Sequence, residues 1–285
     1  MAFFDTFKVL PQYILPQHAL SKLMSKFTHS KNTTLKNYMI NKVIKLYGVN
    51  MAEALPDNPE CFETFNDFFT RSLRSLARPV VSGEKAIASP ADGAISQLGK
   101  INETKIFQAK GKQFSIVDLL GGSVDRAIPF MDGEFATIYL SPKDYHRLHM
   151  PLAGTLKEMV HVPGKLFSVN AATTRSVSGL FARNERVVAI FDTAAGPMAL
   201  VLVGAIFVSS IETVWHGVVT PPSAPTVQSW SYSKKTVTLE KGEEMGRFNM
   251  GSTIIVLFGK GKMRWDEKLK ADALVKMGEL IGKTV

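Results

Sequence analysis

The 285-residue sequence predicts an α+β fold: a helical N-terminal region over residues 1–79, then a mainly antiparallel β domain over residues 80–285. Up to Pro79, apolar residues recur at three- and four-residue steps, the period of a helix face. Beyond Pro79 they come in short runs separated by Pro, Gly, Asp and Asn, the texture of strands and turns. There is no internal repeat and no low-complexity tract, and 45% hydrophobic residues are enough for a sizeable core.

In chain order, Leu35, Met39, Val43 and Leu46 mark a helix from Thr34 that Gly48 ends as a C-cap glycine. A second helix is predicted from Thr64 to Leu76, with Phe65, Phe68, Phe69 and Leu73 along one side, and Arg78-Pro79 closes the region. Strands are predicted at 86–88, 135–140, 159–162, 187–191, 198–208, 236–239 and 253–258. The near-apolar run Met198–Ile211 is too short for the roughly 20 residues that a membrane-spanning helix needs, and its β-branched content predicts a buried strand pair.

Net charge is +9, and residues 1–50 hold most of it: seven lysines against one acid, Asp5, a local charge of +6. Such an end attracts nucleic acid or an anionic lipid surface. The lysines alternate with Phe3, Phe4, Phe7, Leu10, Tyr13, Ile14 and Leu15, and arginine is absent, which favours lipid. A solvated helix face is the plainer alternative. Pro11 and Pro16 interrupt the apolar stretch, so no secretory signal is expected. The single cysteine, Cys61, excludes an internal disulfide and a Cys-rich metal site.

Three stretches carry chemistry. Ser89-Pro90-Ala91-Asp92-Gly93 reads as a tight turn presenting Asp92, or as a plain turn with a solvated acid. In Ser141 to Pro151, Ser141, Pro142 and Asp144 form a plausible helix start. One helical turn after it would put His146 and His149 on one face, as a metal pair or as two unrelated surface histidines. In Glu244 to Thr253, Ser252 sits just before an apolar run, as a nucleophile or as part of a glycine turn leading into a strand. Together they supply an acid, a base and a hydroxyl, the set that activates a serine.

These stretches resemble the bacterial phosphatidylserine decarboxylases. The resemblance also takes in Tyr13-Ile14-Leu15-Pro16, Thr64–Phe69, Gln97–Lys100, Val162-Pro163-Gly164, Leu166–Asn170, Phe181–Arg186, Ile211–Trp215 and Gly251-Ser252-Thr253, in order from about residue 10 to about 260. Met250 and Ser209-Ser210 depart from the family's pattern. The resemblance implies a proenzyme in which Ser252 attacks the Gly251 carbonyl. His149 would take the proton and Asp92 would hold the imidazole, so that Ser252 Oγ is expected near one ring nitrogen of His149 and Asp92 at the other. Cleavage would leave a β chain, 1–251, and an α chain, 252–285, whose first residue becomes a pyruvoyl group.

The resemblance further implies that this group forms a Schiff base with phosphatidylserine and accepts electrons as CO2 leaves, yielding phosphatidylethanolamine. His146 is the implied proton donor. No metal and no pyridoxal phosphate would be needed. The partners implied are phosphatidylserine, an anionic membrane surface and the chain's own other half, with no nucleic acid. The place implied is peripheral, on the cytoplasmic face of the cell membrane. A serine hydrolase built on Asp92, His149 and Ser252 would instead leave one uncut chain. A nucleic-acid-binding β domain would bind DNA with steep salt dependence.

Overall fold

A computed structural model of the chain describes residues 9–207, 210–233, 236–249 and 252–285. A 3-10 turn at Leu10–Tyr13 leads into α1 (Gln17–Thr28), followed by α2 (Thr33–Tyr47). The Asn32 side chain caps α2 by accepting from the Leu35 N–H, and Gly48, at φ 68°, closes it. The helix predicted from Thr34 is therefore present with its glycine stop. The helix predicted from Thr64 is shorter: α3 covers only Phe65–Phe69. Thr64 and Asp67 form a capping box at its start. It ends because Ser72–Leu73 leaves to pair with Ala54–Leu55. Ile40, Val49, Phe62, Phe65, Phe68 and Phe69 form a small core of their own. Lys36 is buried there, and its ammonium donates to the carbonyls of Glu60 and Phe62 at 2.9 and 2.7 Å.

Twelve strands build the rest of the site's frame. In chain order they are β1 (Gly93–Lys100), β2 (Glu134–Tyr139), β3 (Arg147–His149), β4 (Gly154–Val162), β5 (Arg186–Thr193) and β6 (Gly196–Val203). Then come β7 (Ser210–Thr213), β8 (Gly217–Thr220), β9 (Gln228–Ser231), β10 (Glu244–Asn249), β11 (Thr253–Phe258) and β12 (Leu274–Val275). The large antiparallel sheet runs β9-β4-β5-β6-β11-β2-β1-β12, and a smaller one runs β8-β7-β10-β3. Every residue of β11 is buried, since the strand lies between β6 and β2 with the main core on its faces.

Two expectations change. The run Met198–Ile211 is not one strand pair: β6 ends at Val203 in the large sheet, and β7 begins at Ser210 in the small one. The turn after Ser141 is not helical either. Asp144 folds back to accept from the Ser141 N–H and hydroxyl, both at 2.7 Å, and the chain then enters β3 against β10. Pairing with a strand satisfies the backbone there better than an isolated helical turn would.

Candidate active site

The register of three neighbouring strands assembles the site. Tyr139 on β2 lies opposite Ala94 on β1 and opposite Thr253 on β11. One step outside those positions, Gly93, Leu140 and Ser252 therefore align at one end of the sheet, with Asp92 one residue beyond Gly93. The Leu140 N–H donates to the Ser252 carbonyl at 2.9 Å. The His149 N–H donates to the Pro90 carbonyl at 2.9 Å, which ties β3 to the turn carrying Asp92. Gly93 is needed in that turn, because a Cβ there would sit 2.3 Å from the Tyr139 carbonyl oxygen.

Ser252 is fully buried, and its hydroxyl has no hydrogen-bond partner among the described residues. Buried hydroxyls are ordinarily paired, so an orphan here calls for an explanation; the Thr253 hydroxyl beside it is orphaned as well. Gly251, the other side of the expected scissile bond, lies outside the described residues, as do Met250 and Ser209.

The two histidines face different surroundings, because in extended chain residues three apart alternate sides. His146 is sealed against the Phe69 ring, centroids 4.1 Å apart. Its Nδ1 lies 2.8 Å from the Asp144 carbonyl, which can only accept, so Nδ1 carries the proton. Nε2 is then a bare lone pair, and it has no partner among the described residues. Burial pushes its pKa down to about 3, so His146 is neutral in this state. His149 Nδ1 donates to the Gly242 carbonyl at 2.8 Å, and by the same logic its Nε2 accepts from the Tyr145 hydroxyl at 3.0 Å. Burial lowers the His149 pKa as well, with the Gly242 carbonyl acting against it.

Asp92 is neither solvated nor hydrogen-bonded to a histidine. Its carboxylate takes a forked pair of bonds from Arg78, with contacts of 2.8, 3.1 and 2.6 Å, and one from the Met277 N–H at 2.8 Å. Arg78 also reaches Glu53 at 2.8 Å. The direct Asp92–His149 and His149–Ser252 bonds expected from the sequence are thus replaced in this state by Arg78, Gly242 and Tyr145. Asp92 still acts on His149 through its charge, in the direction that favours the imidazolium. Arg71 is buried beside the site. It donates to the Lys143 carbonyl at 2.9 Å, while its Nε lacks a partner among the described residues.

Sequence reading missed Tyr145, Arg71 and Arg78. Tyr145 lay within the chemical stretch beside two histidines. Nothing local marked the arginines, because Asp92 is 14 residues from Arg78 and Lys143 is 72 from Arg71.

A cavity of about 540 Å³ lies behind α1; Ser252 is buried and is not among the residues that line it. Gly204 and Ser210 form part of its wall. The first lies one step beyond the Val203–Thr253 pair and so beside Ser252, and the second pairs with Asn249. Its outer wall is α1, through His18, Ser21, Lys22 and Ser25. A group made from Ser252 fits this setting in that it would start from an orphaned hydroxyl one register step from Gly204, which walls a space large enough for a polar headgroup. No cluster of three or more His, Cys, Asp or Glu side chains placed to hold a metal occurs among the described residues.

A buried serine at the head of a central strand, two buried imidazoles and a clamped carboxylate are the groups that an enzyme activating a hydroxyl uses. Comparison with known proteins specifies the family. A model described as phosphatidylserine decarboxylase matches residues 65–283, and one described as PSD matches residues 7–48. The phosphatidylserine decarboxylase proenzyme of Hahella chejuensis is 55% identical over 283 residues, 99% of this chain and 95% of that protein. Those of Methylococcus capsulatus and Marinobacter nauticus are 56% and 54% identical, covering 95% and 98% of this chain and 94% and 98% of theirs. The chain belongs to the phosphatidylserine decarboxylase family.

Proposed function

We propose that this chain is a self-processing proenzyme that converts phosphatidylserine to phosphatidylethanolamine and CO2. The observation that carries the proposal is the orphaned, fully buried hydroxyl of Ser252 at the head of β11. Ser252 Oγ attacks the carbonyl carbon of residue 251, and the peptide C–N bond breaks to leave an ester and a free amine. His149 Nε2 is the base that receives the hydroxyl proton, with the Tyr145 O–H yielding or relaying at that nitrogen. Asp92, fixed by Arg78, stabilises the imidazolium that results. Loss of the Cα proton of residue 252 then expels the 251 carboxylate. Water replaces the nitrogen, which leaves as ammonia, and position 252 is left as a pyruvoyl ketone.

Once formed, that group supplies an electron sink for loss of CO2. His146 has the complementary proton task. Its bare Nε2 takes up a proton when the anionic substrate enters, since a nearby negative charge favours the imidazolium, and it delivers the proton to the carbon that lost CO2. Phe69 holds the ring in place.

The helical region, 1–79, docks the enzyme peripherally on the cytoplasmic face of the cell membrane, and 80–285 is catalytic. In support, α1 turns Gln17, Ser21 and Thr28 inward and leaves Leu23 and Phe27 exposed on the opposite side. Leu10, Tyr13, Ile14 and Leu15 are exposed just ahead of it, and Lys22 and Lys26 flank it. That pattern matches a helix lying in a lipid interface. No helix among the described residues is long and apolar enough to cross a membrane.

The test is intact mass and a denaturing gel of the purified protein. A released fragment of residues 252–285 with a pyruvoyl first residue is expected, and Ser252→Ala should give one uncut chain without decarboxylase activity. An uncut wild-type chain with a free Ser252 would return the hydrolase reading.

A further inference from the structure

The cavity behind α1 holds one buried acid that the self-processing chemistry does not use. Glu185 is about 5% exposed and is the only carboxylate among the described residues that line the cavity. His161 Nε2 and the Thr220 hydroxyl both donate to its Oε1 at 3.0 Å. Burial alone would raise its pKa, but hydrogen bonds from His161, Ser223 and Thr220 outweigh that, so the group is ionised.

Register places this carboxylate relative to Ser252. Arg186 pairs with Val203, and Val203 pairs with Thr253. One step past those pairs, Glu185, Gly204 and Ser252 lie in a row across three neighbouring strands, and the Gly204 N–H donates to the Glu185 carbonyl at 2.8 Å. Residues directly opposite in an antiparallel ladder project to the same face. Two strand spacings separate the outer members, about 9–10 Å. The residue between them has no side chain. A Cβ on Gly204 would point toward Leu166 and Ile211, which line the cavity, so this face of the row looks into it. The carboxylate thus lines the cavity two strands away from the reacting position, with Gly204 between them. Lys22 and His18 supply the basic side of the same cavity.

We propose that Glu185, as a carboxylate, binds the ammonium of the substrate's serine headgroup and so holds the amine toward position 252. This rests on the decarboxylase reading and names the group that recognises the amine. His161 and Thr220 hold the carboxylate in place as positioning residues.

The test is calorimetric binding to Ser252→Ala protein, which keeps the uncut cavity and cannot consume the ligand. One ligand is dihexanoylphosphatidylserine. The other is the matching phosphatidylglycerate, in which a hydroxyl replaces the amine. The amine lipid should bind about tenfold more tightly, the worth of a charge-assisted bond. Adding Glu185→Gln should remove that preference by weakening the amine lipid alone. Equal binding of the two lipids without Glu185→Gln would overturn the proposal, as would a preference that survives Glu185→Gln. Folding of the variant is checked by whether Glu185→Gln with Ser252 intact still cuts itself. If it does not fold, the lipid preference of the Ser252→Ala protein decides. A wild-type chain that neither cuts itself nor releases CO2 would sink the decarboxylase reading instead.

Discussion

At the scale of single residues, burial sets the behaviour of the site. An unfolded histidine titrates near 6.5, whereas His146 in the folded chain does so at about 3. Between those values the unfolded chain binds more protons, so stability falls as pH drops from about 6.5 toward 3, with no contribution from this group above that window. Denaturation midpoints of wild type and His146→Gln across pH 4–8 should converge at acid pH, because the variant lacks the penalty; parallel curves would show that His146 is not held neutral. In lipid assays, His146→Ala should still cut itself but decarboxylate poorly if, as proposed, the bare Nε2 serves the second reaction; equal loss of both steps would make His146 structural. Arg78 is a different case. Arg78→Met leaves Asp92 and Glu53 without their guanidinium, which costs about 3–5 kcal/mol for a buried pair losing one partner. Urea unfolding should register that loss, and a gel time course should show slower self-cleavage. Arg78→Lys should recover only part of either, because an ammonium cannot reproduce the fork.

At the scale of elements, the site depends on how closely β1, β2 and β11 run together. Gly93→Ala puts a methyl 2.3 Å from the Tyr139 carbonyl oxygen, and that oxygen belongs to a backbone locked in the sheet. The turn must therefore move, and Asp92 with it. A loss of about 3 kcal/mol is expected, at the upper end for overpacking, together with impaired self-cleavage; a variant that unfolds and matures like wild type would show that the turn tolerates displacement. The α1 helix has the reverse of an ordinary surface pattern. Its inward face is polar because it meets loop backbone: Gln17 accepts from the Leu166 N–H and Ser21 from the Phe207 N–H. Its apolar side chains are left for another surface.

For the whole molecule, cleavage need not separate the halves. The fragment 252–285 supplies β11, buried between β6 and β2, and Leu280–Thr284 pairs with Ala86–Ala88. The two chains should co-elute on gel filtration without denaturant and part in guanidinium. Elution of a free 34-residue fragment in plain buffer would contradict this architecture. The proposed membrane docking is tested at the same scale. Leu10→Asp with Ile14→Asp, side chains 56% and 85% exposed, should weaken sedimentation with anionic vesicles while leaving self-cleavage intact. High salt should weaken wild-type binding only in part, because salt screens the lysines but not apolar insertion. Unchanged sedimentation would move the lipid-facing surface elsewhere.

Local pattern was enough for much of this protein. The α2 helix and its glycine stop, the strand at 253–258 and the α+β order follow from periodicity and turn residues, which act over a few positions. The family, and with it Asp92, His146, His149 and Ser252 as candidates, was legible from motifs spread along the chain. Partners distant in sequence were not. Arg78 finds Asp92 and Glu53 only after folding, and the bare nitrogen of His146 depends on Phe69 closing over it. The shortened α3 and the extended chain at Arg147–His149 were decided by strands that pair from elsewhere. Glu185 reads as one acid in a charged stretch, and only strand register sets it across Gly204 from Ser252. Local propensity is worth tenths of a kcal/mol per residue, whereas burial and strand pairing act on whole segments at once.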